Sequence, residues 1–198
     1  MQKYWQILGY GVYSEGRCRT MDMREFTVDS PARFYKDILK ETKIPIQKSE
    51  KFFRIGEQAA VVIAMALTVL ESASVENFDR TAVAGYGMEG SHDGNLKYWE
   101  DFVVNGRTEA QGHLFVGTLA STPLCQLALT LGCHGPVFYV SPAGEGPVLE
   151  DELMFLQDQC ETLFLIETRP DYCRCMLLKV SGEGKIAEET LRIFEEIK

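Results

Sequence analysis

Gly132-Cys133-His134-Gly135-Pro136-Val137-Phe138-Tyr139-Val140-Ser141-Pro142-Ala143-Gly144-Glu145-Gly146 reads as a tight turn, a short buried strand, a second tight turn and the start of a helix. A strand that turns sharply into a helix is how several α/β enzymes hold a nucleophile exposed at a helix N-terminus. The stretch therefore points to an α/β fold, and the rest of the chain is read outward from it.

Upstream, Thr122–Leu131 is predicted to be helical, with Leu124, Leu127, Ala128 and Leu131 on one face. Gly94–Asn105 is predicted to be a helix from Leu96, Trp99, Phe102 and Val103. Thr81–Gly87 is a strand of small and β-branched residues, and Ile55–Ser72 a helix apolar almost all round. Ser30 and Pro31 fit the N-cap and first position of a short helix over Ala32–Lys40. The aromatic and β-branched run Tyr4–Ser14 reads as the first strand, whereas Glu15–Ser49 otherwise shows little periodicity. Downstream, Val148–Cys160 reads as a helix, then Thr162–Thr168 and Cys173–Val180 as an antiparallel pair turning at Arg169-Pro170-Asp171. Lys185–Lys198 is an amphipathic helix. Alternating strands and helices imply a mostly parallel sheet covered on both faces, with one antiparallel strand near the end.

With 198 residues the chain can bury a sizeable core, and a single domain over 1–198 is expected. A net charge of −9 without a basic stripe argues against nucleic acid as a partner. The longest apolar run, Ala59–Leu70, is broken only by Thr68 and falls short of the about twenty residues that span a bilayer. With no signal peptide at Met1–Trp5, a cytoplasmic protein is expected. The cysteines at 18, 125, 133, 160, 173 and 175 are then expected to be reduced, with Cys125 in the core and Cys173 and Cys175 on one strand face. His92, His113 and His134 are scattered and two neighbouring thiols do not complete a ligand set, so no metal and no cofactor is expected.

The Gly132–Gly146 frame resembles the nucleophile elbow of β-ketoacyl synthases, members of the thiolase-like superfamily. There a Gly-x-x-Gly-Pro turn leads into a strand ending Ser-Thr-Ala-Cys-Ala-Ser-Gly. Ile7-Leu8-Gly9-Tyr10-Gly11-Val12-Tyr13-Ser14 is similar to that family's opening Val-Thr-Gly-Leu-Gly-Val-Val-Ser. Phe53–Ala60 is similar to its Arg-bearing approach to a long apolar helix, and Thr118–Ala128 to the segment before the elbow. The resemblance implies a ketosynthase N-terminal-like half whose sheet has five strands in the order 3-2-1-4-5, the last antiparallel. It also places Gly144 where the family carries its acyl-accepting cysteine, and Gly144 has no side chain to acylate. The family's catalytic histidines and lysine belong to a second, duplicated half, and this chain ends at Lys198.

The resemblance thus implies a catalytically inactive ketosynthase-like protein that works by association in fatty-acid, polyketide or aryl-polyene-type biosynthesis. Its expected partners are a second copy, paired through Pro136–Val140, or a full ketosynthase, with an acyl carrier protein as a further possible partner. The alternative is a 3-oxoacyl-acyl-carrier-protein synthase-type acyltransferase, completed by a partner chain or using a repurposed elbow pocket with His134 or Cys133. As residues, His134 reads as a surface turn histidine and Cys133 as a structural thiol. Glu145, Glu150, Asp151 and Glu152 read as complements to a helix dipole, and His92-Asp93 as loop.

Overall fold

The computed structural model describes residues 3–47, 55–73, 75, 77–87, 91–105, 112–141, 148–169 and 171–197. Helix α2 (Glu57–Glu71) organises one side of the molecule, because Ala, Val, Ile, Leu and Met leave it no polar face and every residue from Gln58 to Leu70 is buried. Each fully buried Val, Ile or Leu side chain of such a helix contributes about 1.5–3 kcal/mol relative to exposure. It lies against the sheet between α1 (Pro31–Glu41) and α5 (Thr122–Leu131). The sheet contains β1 (Tyr4–Ser14), β2 (Arg17–Thr20), β3 (Glu25–Thr27), β4 (Thr81–Tyr86), β5 (Val137–Val140), β6 (Thr162–Arg169) and β7 (Tyr172–Ser181). On its opposite face sit α6 (Val148–Gln159) and α7 (Ala187–Glu196). Between β4 and α5 the chain forms α3 (His92–Val104) and α4 (Gly112–Gly117).

The central strands are buried on both sides, as a sheet between two helical layers requires. In β6, Phe164 and Ile166 join the α2 core while Leu163 and Leu165 join the α6–α7 core. In β7, Cys173, Cys175 and Leu177 face α2, and Met176 and Leu178 face away. Cys173 and Cys175 do share one face.

Among the described residues the sheet has seven strands in the order β3-β2-β1-β7-β6-β4-β5, not five. The order among the five expected strands also differs: β1 lies beside β7, not beside β4. β1 pairs with β7 from Tyr4↔Ser181 to Ser14↔Tyr172, whereas the shorter β4 is paired with β5 on one edge and β6 on the other. The expected direction of the last strand holds, since β7 is antiparallel to both neighbours, but the sheet is not mostly parallel: only β4–β5 and β4–β6 run parallel, and the β1–β2–β3 ribbon adds antiparallel pairs.

The two additional strands, β2 and β3, fall in the stretch read as having little periodicity. The Ser14↔Arg17 pair leaves Glu15 and Gly16 as a two-residue loop with φ of 48° and 75°. Positive φ at both positions matches the right-handed twist of a hairpin, and Gly16 takes it without a side-chain clash. Arg17-Cys18-Arg19-Thr20 alternates exposed and buried, a period-two pattern only four residues long.

Helix α1 forms as expected: the Ser30 hydroxyl accepts the Arg33 N–H at 3.3 Å, Pro31 opens the first turn, and Phe34 and Ile38 are buried. Helix α4 was not anticipated. His92 and Asp93, read as loop, lie in the first turn of α3.

Candidate functional site at the open sheet edge

Helix α5 delivers the chain to β5. Leu124, Leu127, Ala128 and Leu131 bury one face of the helix, and Gly132 closes it in the left-handed conformation. Cys125 is exposed, correcting its assignment to the core. It shares a face with Leu129, one turn on, which is also exposed.

After the cap, the Gly135 N–H donates to Thr81 O at 3.1 Å and the Val83 N–H to Pro136 O at 2.9 Å, starting β5 alongside β4. At the far end the Gly87 N–H donates to Val140 O at 3.3 Å. Residues 136, 138 and 140 thus turn their backbone groups toward β4, and Val137 and Tyr139 turn theirs outward. β5 is the last strand of the sheet, so among the described residues no strand meets those outward groups. Val137 and Tyr139 pack on the α2–α5 side and Phe138 on the α6 side, yet all three remain half-buried. The Tyr139 hydroxyl donates to Gly87 O at 2.7 Å, tying the carboxyl ends of β5 and β4 together.

His134 and Cys133 precede β5, at the amino end of the strand, whereas the elbow follows its carboxyl end. Four residues of strand put His134 and Cys133 about 13 Å from the carboxyl end of β5. His134 is exposed, with Nδ1 3.5 Å from Asp79 Oδ1. Burial pushes the Cys133 thiol up to about 12, which keeps it protonated and unreactive near neutral pH. Gly144 and Glu145 lie outside the described residues. Glu150 and Asp151 fall in the first turn of α6, where carboxylates complement the helix dipole.

The most buried ion pair at this end of the sheet was not singled out in the sequence. Glu167, near the carboxyl end of β6, is 6% exposed. Its Oε1 accepts from Arg169 at 2.7 Å and its Oε2 lies 3.5 Å from Arg174 Nη2. Arg174 also donates to the Tyr172 hydroxyl and to Phe194 O, each at 2.6 Å, and so holds the last turn of α7 against the sheet. An acidic residue closing the apolar run Leu163–Ile166, with arginines across the following turn, is the signal that could have revealed it. Both carboxylate oxygens face arginines, so Glu167 clamps the end of β6 to β7 and, through Arg174, to α7.

Grooves of about 350 Å³ (bordered by Arg24, Phe34 and Glu71) and about 410 Å³ (bordered by Asn77, Asp79, Arg80 and Glu161) are lined by no residue of β5. Among the described residues no group of three His, Cys, Asp and Glu side chains converges as a metal site would require. Nor is any described helix long and apolar enough to cross a membrane.

No protein-family model matches the chain, and no curated protein matches it. Solved structures do. A ketosynthase in complex with its chain length factor from Xenorhabdus doucetiae is 10% identical, with a TM-score of 0.51 over 89% of this chain and 79% of that one. The ishigamide ketosynthase/chain length factor is 13% identical, with a TM-score of 0.53 over 89% of this chain and 62% of that one. A type II polyketide synthase acyl-carrier protein in complex with its ketosynthase bound to the hexaketide gives 11% identity and a TM-score of 0.54, over 90% of this chain and 58% of the matched one. The chain therefore spans less than two thirds of the length of the latter two. By fold, this mixed α/β sheet with its helical layers is similar to the thiolase-like ketosynthases and chain length factors.

Proposed function

We propose that this chain is a ketosynthase-like protein that acts by association and does not carry an acyl chain itself, in a polyketide, fatty-acid or aryl-polyene-type pathway. The observation that carries the reading is the open β5 edge: an apolar strand, Val137-Phe138-Tyr139-Val140, whose outward backbone groups and half-buried side chains need a partner. Two copies related by a two-fold axis at Phe138 would exchange the Val137 and Tyr139 hydrogen bonds in both directions and join the two sheets. A chain length factor beside its ketosynthase in the matched structures supports a full ketosynthase as the other partner of this edge. The carrier protein found with the third supports an acyl carrier as a transient partner. Alignment of Gly144 with the family's nucleophile supports the absence of acyl transfer by this chain alone.

The test is sedimentation velocity of the chain and of Val137→Pro, followed by capture of ketosynthase and carrier protein from the native host. Proline on the outward side of an edge strand removes a donor that the monomer does not use, so the fold is retained while pairing is lost. A dimer that Val137→Pro converts to monomer supports the reading; a wild-type chain that stays monomeric and captures neither protein overturns it. Stoichiometric acylation by an acyl thioester, abolished by Cys133→Ser, would instead establish the acyltransferase alternative.

A further inference from the structure

At the β3 end of the sheet, β3, α1 and the last turn of α2 border a groove of about 350 Å³, a volume at which small-molecule sites begin. Its floor is apolar. Phe26 of β3 and Val28 just after it are half-buried, and Phe34 and Ile38 of α1 are buried. The Phe26 and Phe34 rings meet edge-on with centroids 5.8 Å apart. Charge lines the walls. Arg33, Asp37 and Glu41 stand at i, i+4 and i+8 along α1, and Asp29, Arg24 and Glu71 complete the rim. Both guanidiniums are already engaged. Arg24 donates from Nε to Asp22 at 2.7 Å and from Nη1 to Glu71 at 2.9 Å. Arg33 pairs with Asp29 and lies 3.5 Å from Asp37. Among the described residues no cation pairs with Glu41. The four carboxylates of the rim outnumber its two arginines, so the groove is left negative.

We infer that this groove binds an organic ammonium ion: a free amine whose charged end meets the carboxylates and whose apolar body lies on the phenylalanines. The inference does not depend on the association proposed above. Charge decides against an organic anion, because the guanidiniums that could receive it are taken by carboxylates of the chain itself. Spacing decides against a metal ion. Among the described residues no three carboxylates converge on one point, so the negative charge is spread along the groove and suits an elongated cation. The floor adds what an inorganic ion cannot use. An aromatic ring attracts an ammonium ion through its quadrupole, and methylene groups gain by burial against Val28 and Ile38. The edge geometry decides against a peptide strand. The Val28 N–H donates to Gly16 O and the Thr20 N–H to Arg24 O, so residues 24, 26 and 28 turn their backbone groups toward β2. Only Glu25 and Thr27 of β3 face outward, too few to hold an added strand.

Titration of the nitrogen-labelled full chain with phenethylamine, read by amide NMR shifts, tests this. Phenethyl alcohol, phenylacetate, Mg²⁺ and the lysine side chain of Nα-acetyl-lysine amide are titrated beside it. The expected result is saturable shifts confined to β3, α1 and the last turn of α2, with the alcohol and the carboxylate binding at least about tenfold more weakly than the amine. Glu41→Gln should weaken amine binding about two- to fivefold, the size of one screened surface charge. Phe26→Leu keeps apolar bulk but removes the ring, and should weaken it by about the same factor. Glu41 is exposed and unpaired, so that variant keeps its fold, and its own spectrum checks this. Absence of saturable shifts at the groove, equal affinity for phenylacetate, or affinity unchanged in both variants overturns the inference. Tighter binding of Mg²⁺ overturns the organic cation in favour of a metal ion. Tighter binding of the lysine derivative overturns the free amine in favour of a protein side chain.

Discussion

The two edges of the sheet are built in opposite ways. At one end, β3 is three residues long, pairs Arg19 with Glu25 at 3.3 Å, and is covered by α1 through Phe26 meeting Phe34 with centroids 5.8 Å apart. Short length, charge and a helical cover are the ordinary means of stopping an edge from pairing. At the other end, β5 carries no charge, is all Val, Phe and Tyr, and has outward N–H groups at Val137 and Tyr139. The chain thus protects one edge of its sheet and leaves the other apolar and uncharged.

The largest effect should come from making the second edge resemble the first. Phe138→Lys is expected to abolish dimerisation in sedimentation velocity, since like charges would meet at the two-fold axis. Next is the cover of the protected edge. Phe34→Ala removes a buried ring that also stacks on Tyr13, and is expected to cost about 3–5 kcal/mol in urea unfolding. A gain of self-association in that variant would show that α1 was what kept β3 from pairing.

The thiols sharpen the contrast at intermediate size. Burial pushes Cys18 of β2 and Cys133 before β5 each up to about 12, against an ordinary thiol near 8.5. The folded state then holds protons that the unfolded state releases, so stability should be level below about pH 8.5 and fall as pH climbs toward 12. Iodoacetamide at mildly alkaline pH should modify exposed Cys125 first and leave Cys18 and Cys133 unmodified, as read by peptide mass spectrometry. The smallest effect belongs to the exposed charges. Glu25→Gln should shift stability by no more than about 0.5–1 kcal/mol, because its pair with Arg19 is more than half exposed.

Much of this was legible in the chain. Long periodic or uniformly apolar segments (Tyr4–Ser14, Thr122–Leu131, the body of α2) declare themselves, because burial acts on many residues at once. The hairpin β2–β3 did not, since four and three residues hold too few alternations and half of them are charged. Only Glu15-Gly16 marked its turn. Sheet order, expected from the resemblance, is not legible in the residues, because the pairing of β1 with β7 joins segments far apart in sequence. Cys125 was misplaced by composition: it stands on an apolar helix, but on the face with Leu129 and not on the face with Leu124 and Leu127. At the site, the strand and the exposed His134 follow from the sequence and the edge position of the strand from the resemblance, whereas the Glu167–Arg174 clamp depends on the cross-strand pairing of β6 with β7.

The insertion of β7 between β6 and β1 carries a consequence for the order in which the molecule comes into being. Tyr4 pairs with Ser181, and Trp5 exchanges backbone hydrogen bonds with Lys185, so β1 closes only against a strand far along the sequence. Contacts so distant in sequence make closure slow, and the nascent β1–β2–β3 ribbon must stay unpaired along one side while the rest is synthesised. Trp5, fully buried where that seam shuts, is a built-in fluorescent reporter of its closure.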